Sequence, residues 1–351
     1  MARWILLVLA FALGISACED VYHASLDDMD GLLVVEATII HGRSDNYVKL
    51  FKTVGFNDVP YQFPVVAGAK VWLVDNQNGT ILLRDSGSGL YRLEQPLDPQ
   101  KKYKLMVESE GETFESSYEK VPGQPDIDTV YVLHAEKLAE TVTDEAAGNL
   151  YKLPGAIMYA DIAARDENRY YRFISRKIVQ YVYELALPGV PPSTVYAWRT
   201  VVPLEVFNIA APPEYTLSRD IRKHPLVFLE RNFNVYKPDT QTFFVGWIYV
   251  CLQYALSEPT YNFYRDLNSQ LSAGGKFFDP LYVQAKGNLV CVSDLRKVVL
   301  GNFEISTVRE HRFYVQPLGS DRYFLKRLPN IWSVPGEGFT VDEPPDWWGQ
   351  R

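Results

Sequence analysis

The sequence predicts a mostly β protein: an N-terminal immunoglobulin-like β-sandwich followed by a larger β-rich domain with one amphipathic helix. Three observations predict it. From residue 32 onward, short β-branched and aromatic runs alternate with turns containing Gly, Asn and Pro. Aromatic residues make up 14% of the chain, a share that suits strands or sticky surfaces. One stretch near 258–271 exchanges the two-residue apolar period for a helical one.

The bulk numbers bound the rest. With 351 residues, 47% of them apolar and 22% charged, the chain is long enough for two or three domains and too apolar for wholesale disorder. A net charge of −8 argues against nucleic acid, whose phosphates require a basic face. Three cysteines exclude a disulfide-rich scaffold.

The elements follow in order. Arg3 forms a short positive region, and residues 4–13 form an apolar run too short for the roughly 20 residues that span a bilayer. Residues 1–17 therefore read as a cleavable export signal. Ile15-Ser16-Ala17-Cys18 resembles the lipobox of bacterial lipoproteins, in which the Cys18 thiol accepts a diacylglycerol; the bland reading is a secretory signal that ends near a cysteine. Glu19 and Asp20 resemble a surface-export signal of Bacteroidota lipoproteins, or are simply part of a solvated tether. Residues 18–30 form that lipidated tether.

Residues 31–121 carry the sandwich. Residues 32–40 are a β-branched, apolar strand. Strands 71–75 and 80–84 flank Asn78-Gly79, a hairpin signal because a type I′ turn needs positive φ at both positions. A second pair, 103–107 and 113–118, surrounds Glu110-Gly111. Val121-Pro122-Gly123-Gln124-Pro125 begins a stiff linker over 122–128.

The β-rich domain spans 129–351. Tyr171, Phe173, Val179, Tyr181 and Tyr183 share one side of a strand, with Arg172, Arg176, Gln180 and Glu184 on the other. Residues 243–256 read as a long central strand. Ser257 suits a helix N-cap, with Glu258 and Pro259 in the first turn. Phe263, Leu267 and Leu271, with Tyr264 beside them, form its apolar face. Strands at 288–292, 297–305 and 312–315 follow. Cys251 and Cys291 lie inside apolar strands and are expected to be buried free thiols, with one bridge between them as the alternative.

Chemistry is sparse. The five histidines are scattered without zinc-ligand spacing, and no nucleophile elbow or phosphate loop occurs, so no catalytic residue, cofactor or metal site is expected. Asp128-Thr129-Val130 suits the start of a strand after the linker, and also resembles a short O-glycosylation motif at Thr129. Trp347-Trp348 suits a docking anchor or a segment tucked onto the fold.

Several blocks carry a wider likeness: Leu33-Val34-Val35-Glu36, Val66 to Val71, Pro125 to Asp128, and Asn168 to Arg172. With them go Tyr261 to Tyr264, Gly274-Gly275, Phe278-Asp279-Pro280, Gly287-Asn288 and Val299 to Phe303. In these the chain resembles the Bacteroidota lipoprotein family catalogued as domain of unknown function 4249. It lacks the Cys pair that family often carries near its C-terminus. The resemblance implies a surface-exposed outer-membrane lipoprotein, often encoded beside a TonB-dependent receptor. The expectation is a non-enzymatic accessory partner of such an outer-membrane β-barrel in uptake. A structural subunit of another outer-membrane assembly and a surface hydrolase are the alternatives.

Because the Cys18 thiol is the lipid acceptor in this reading, Cys18→Ala is expected to abolish metabolic labelling with palmitate. Labelling that survives the change overturns the lipoprotein assignment.

Overall fold

Alternation at a period of two sorts the first strand, Leu33–Ile40. Leu33, Val35, Ala37 and Ile39 are buried while Glu36 and Thr38 face out. The same logic buries Val71 and Leu73 in Lys70–Asp75, and Tyr103, Leu105 and Val107 in Lys102–Ser109. The computed structural model describes residues 31–54, 63–140, 150–165, 168–185, 188–189, 191–201, 207–213, 218–230, 242–272, 285–319, 321–328 and 340–341. Among these the protein is mostly β with one helix, as the sequence predicts.

The two N-terminal hairpins form, with their turn chemistry exchanged. At the first, only Asn78 has a positive φ, at 66°; Asp75 N donates to Gly79 O, closing a longer loop. The Asp75 carboxylate accepts from the backbone N–H of Gln77 and Gly79 at 2.8 and 2.7 Å. A Cβ on Gly79 would sit 2.5 Å from Asp75 Oδ2, so this glycine serves close approach rather than left-handed backbone. The two-residue turn with both φ positive is Glu110-Gly111, at 52° and 80°, between the paired Ser109 and Glu112.

One strand organises everything else. Sequence periodicity suggests separate strands at 297–305 and 312–315; the structure has a single strand, Leu300–Pro317, here called the bridging strand. Its first part pairs in parallel with the first strand, from Val34↔Leu300 to Ile40↔Ser306. It then changes partner. From Thr307 to Val315 it pairs antiparallel with Thr242–Leu256, from Ala255↔Thr307 to Trp247↔Val315. The short strand Leu289–Cys291 also joins the N-terminal part, pairing with Glu112–Ser116. The sandwich begun by residues 31–121 is thus completed by strands from 289–306. Phe303 and Ile305 lie in its core beside Val35 and Leu50.

Beyond the switch, the same large sheet continues through Thr242–Leu256 to Tyr170–Leu185 and Ser193–Val201. It packs on a three-stranded sheet of Thr129–Glu140, Leu150–Ile162 and Ile221–Glu230. Thr242–Leu256 is central, as its apolar sequence requires. Tyr171, Phe173, Val179 and Tyr181 are buried as predicted. Gln180, expected on the polar side, is fully buried as well, because both faces of this sheet are covered here. The side chains of Tyr183 and Glu184 lie outside the described residues.

Residues 121–127 adopt no regular structure, yet are stapled in place. Gly123 O accepts from Thr307 Oγ1 at 2.6 Å and from Asn168 Nδ2 at 2.8 Å, and Gln124 Nε2 donates to Val308 O at 2.9 Å. Cys251 and Cys291 are both free and buried, one in each core. Burial pushes the Cys251 thiol up to about 12, which leaves it inert.

Three backbones meet where the bridging strand starts. Gly301 has φ of 100°, and a Cβ there would lie 2.0 Å from Val35 O. A Cβ on Gly287 would lie 1.6 Å from Gly301 O. Strain and collision with backbone coincide at Gly301, so Gly301→Ala is expected to cost at least about 3 kcal/mol. Urea unfolding of the two chains measures it, and a loss under 1 kcal/mol contradicts the close approach.

Candidate functional site at the strand junction and helix groove

Ser257 starts the helix as the sequence predicts. Its Oγ accepts from Thr260 N at 3.3 Å and its carbonyl from Tyr261 N, and the helix α1 runs Glu258–Ser272. The apolar side of α1 covers the sheet at the partner switch. Tyr264 is buried, and Phe263 and Leu267 are half-buried, against Tyr254, Leu256, Ile40 and Val308. Leu271, expected on that face, is instead 63% exposed, because the last turn projects beside a cleft.

Beneath the first turns of α1 lies a buried polar cluster. Arg172 reaches Glu304 Oε1 at 3.5 Å, and its guanidinium sits 4.3 Å from the Tyr264 ring centre and 4.9 Å from that of Tyr254. Tyr264 donates its hydroxyl proton to Glu304 Oε2 at 2.6 Å. The Glu304 charge is therefore met by a cation and a phenol, as a buried carboxylate requires. Asn288 supplies an extra rung to the bridging strand. Its Oδ1 accepts from Phe303 N and its Nδ2 donates to Phe303 O, both at 2.8 Å. The same Nδ2 donates to Glu119 Oε1 at 3.3 Å, and Asn302 Nδ2 donates to Thr260 Oγ1 at 3.3 Å.

Glu119 is the unusual member. Burial holds its carboxyl up at about 7, with the charge of Glu304 adding to the rise, while hydrogen bonds from Ser257 and Asn288 pull the other way. Ser257 thus caps the helix with a lone pair and gives its own proton to Glu119.

Two clefts flank α1. Towards its C-terminal end, Asn268 and Leu271 face Phe207, Asn208, Ile209 and His224 across a cleft of about 660 Å³. Burial lowers His224 to about 4; its Nε2 lies 2.6 Å from Asn208 Oδ1, and its ring stacks on Phe173. It stays neutral at physiological pH. Towards the N-terminal end, Glu258, Tyr261, Asn262 and Arg265 face Arg169, Tyr170, residues 211–213 and Arg219 across about 580 Å³.

The residues singled out by sequence are not gathered here. Cys18, Glu19, Asp20, Trp347 and Trp348 lie outside the described residues. Thr129 is exposed at the start of the outer strand Thr129–Glu140. Asp128 beside it accepts from Arg165 and from Ala163 N. Among the described residues no three His, Cys, Asp or Glu side chains come together as a metal ligand set. Sequence reasoning missed Glu119, Glu304 and Arg172 as a group, since they come from three distant segments. Asn288 and Arg172 did stand inside the blocks that carry the family likeness.

The architecture defines a β-rich protein of two sandwiches welded by a shared strand, with a grooved helix over the weld. Residues 19–312 match the family described as Domain of unknown function (DUF4249), and the chain belongs to that family. No curated protein and no solved structure matches it.

The raised Glu119 value gives a pH dependence. The folded state keeps a proton that the unfolded chain loses near 4.5, so the carboxyl's contribution is complete below pH 4.5 and is lost as pH rises through about 7. Glu119→Gln is expected to match the wild type near pH 4.5 and to exceed its stability at pH 8 by about 2–3 kcal/mol. Denaturant unfolding at both pH values measures it; a variant weakened equally at both contradicts the assignment.

Proposed function

We propose that the chain is a non-enzymatic outer-membrane lipoprotein, anchored through lipid on Cys18 and carried to the extracellular face by Glu19 and Asp20. There it serves as the accessory partner of a TonB-dependent β-barrel receptor during uptake, as in the Bacteroidota lipoproteins it resembles. The observation that carries the reading is the placement of Ile15-Ser16-Ala17-Cys18 between an apolar leader and the first strand at Leu33. The chain from Cys18 to Leu33 reaches at most about 50 Å. A lipid there keeps the fold near the bilayer and raises its effective concentration at a neighbouring barrel, so a weak interface suffices.

Membership of the family supports the reading. So does the use made of several perturbed groups. Glu119, His311 and Cys251 are packed into the fold, where their chemistry serves structure. His311, for instance, is lowered to about 4 by burial and bonds Gln253 Oε1 at 2.9 Å.

Affinity purification from detergent-solubilised outer membranes tests the proposal. The wild-type chain is expected to bring down a TonB-dependent barrel in near-stoichiometric amount, and Cys18→Ala to lose most of it. Recovery of no such barrel, or equal recovery by both chains, overturns the proposal.

A further inference from the structure

Several basic side chains among the described residues elsewhere on this protein are matched by acids. Lys52 pairs with Glu110, Lys101 with Asp75, Lys104 with Glu115, Arg165 with Asp128, Lys297 with Glu112 and Arg309 with Asp126, all at 2.6–3.0 Å. The cleft beside the N-terminal half of α1 departs from that pattern. Three guanidinium groups, Arg169, Arg219 and Arg265, line about 580 Å³ of space in a chain whose net charge is −8.

Among the described residues, the acids lining the cleft do not neutralise this charge. Among the described lining residues Glu258 is the sole carboxylate, and it accepts a hydrogen bond from Tyr170. Arg265 is exposed and lies 3.5 Å from its half-buried neighbour Asp266, a pairing worth little at the surface. Neither Arg169 nor Arg219 has a carboxylate of the described residues within ion-pair distance. The first turn of α1 forms part of the same wall, and its N-terminal dipole adds positive potential. Tyr170 and Tyr261, with ring centres 5.1 Å apart, and Pro212 and Pro213 complete a wall that is firm and partly apolar.

We propose that this cleft, formed by Arg169, Arg219 and Arg265 against Tyr170 and Tyr261, binds a small polyanion that presents two or more carboxylate or phosphate groups. Guanidinium forks match the planar oxygens of both groups in paired hydrogen bonds, and three of them require more than one anionic centre. The volume lies within the range of small-molecule sites. The assignment rests on the cleft alone and is independent of the lipid anchor and the barrel partner.

Calorimetric titration of the full mature chain at low ionic strength tests it, with citrate and pyrophosphate as separate probes. At least one probe is expected to bind with 1:1 stoichiometry. Arg169→Gln/Arg219→Gln should weaken that binding tenfold or more while leaving the thermal unfolding midpoint unchanged. Arg84→Gln, an exposed arginine on the N-terminal sandwich paired with Glu94, should bind as the wild type does. Binding of citrate alone assigns a carboxylate ligand, and of pyrophosphate alone a phosphate ligand. No binding of either probe, or undiminished binding by the double variant, overturns the proposal.

Discussion

The partner change of the bridging strand between Ser306 and Thr307 is the constraint on which the rest of the structure depends. Before it, the strand completes the N-terminal sandwich in parallel with Leu33–Ile40; after it, the strand runs antiparallel to Thr242–Leu256. Backbone hydrogen bonds therefore run unbroken from one core to the other. Strands cannot slip by one residue without turning Phe303 and Ile305 out of the first core and Phe313 and Val315 out of the second. The register of each half holds the register of the other. Such a pairing also joins opposite ends of the chain, a topology of high contact order that folds slowly.

The weld is made with backbone proximity and polar side chains rather than with bulk. Gly287 and Gly301 let three backbone segments approach closer than any side chain allows. Asn288 then bonds both backbone groups of Phe303, and Glu304 gathers Arg172 and Tyr264 from two other elements. A buried ion pair of this kind contributes little net stability, but losing one member is costly because the other is left charged without a partner. Its effect is to make one arrangement of sheet, helix and linker far better than its neighbours. Glu119 shows the limit of the arrangement, since two hydrogen bonds do not offset its burial.

This explains where part of the family likeness falls. Leu33 to Glu36, Asn168 to Arg172, Tyr261 to Tyr264, Gly287-Asn288 and Val299 to Phe303 all meet at the weld. What they encode in common is the joint, and the grooves beside α1 are built on top of it. Arg169 extends from the same block as Arg172, one residue pointing into a cleft and the other into the buried cluster. Arg169 precedes the strand Tyr170–Leu185, and Arg172 lies on the face opposite the buried Tyr171.

The sequence by itself determined the local structure: the strand faces of Leu33–Ile40, the buried row Tyr171, Phe173, Val179 and Tyr181, the Ser257 cap, the extent of α1 and the burial of both cysteines. These follow from periods, turn residues and capping groups that act over a few positions. It also supplied the residues around Cys18 on which the proposed lipid anchor rests. The tertiary structure alone decided that 297–305 and 312–315 are one strand, that residues 289–306 complete the N-terminal sandwich, and that Glu119, Glu304 and Arg172 meet. It decided likewise that Arg169, Arg219 and Arg265 line one cleft. Strand pairing joins residues with no constraint on their separation in the chain, and the charge of a cleft depends on every segment that reaches it. Neither quantity is encoded at a fixed spacing, so no local pattern can reveal it.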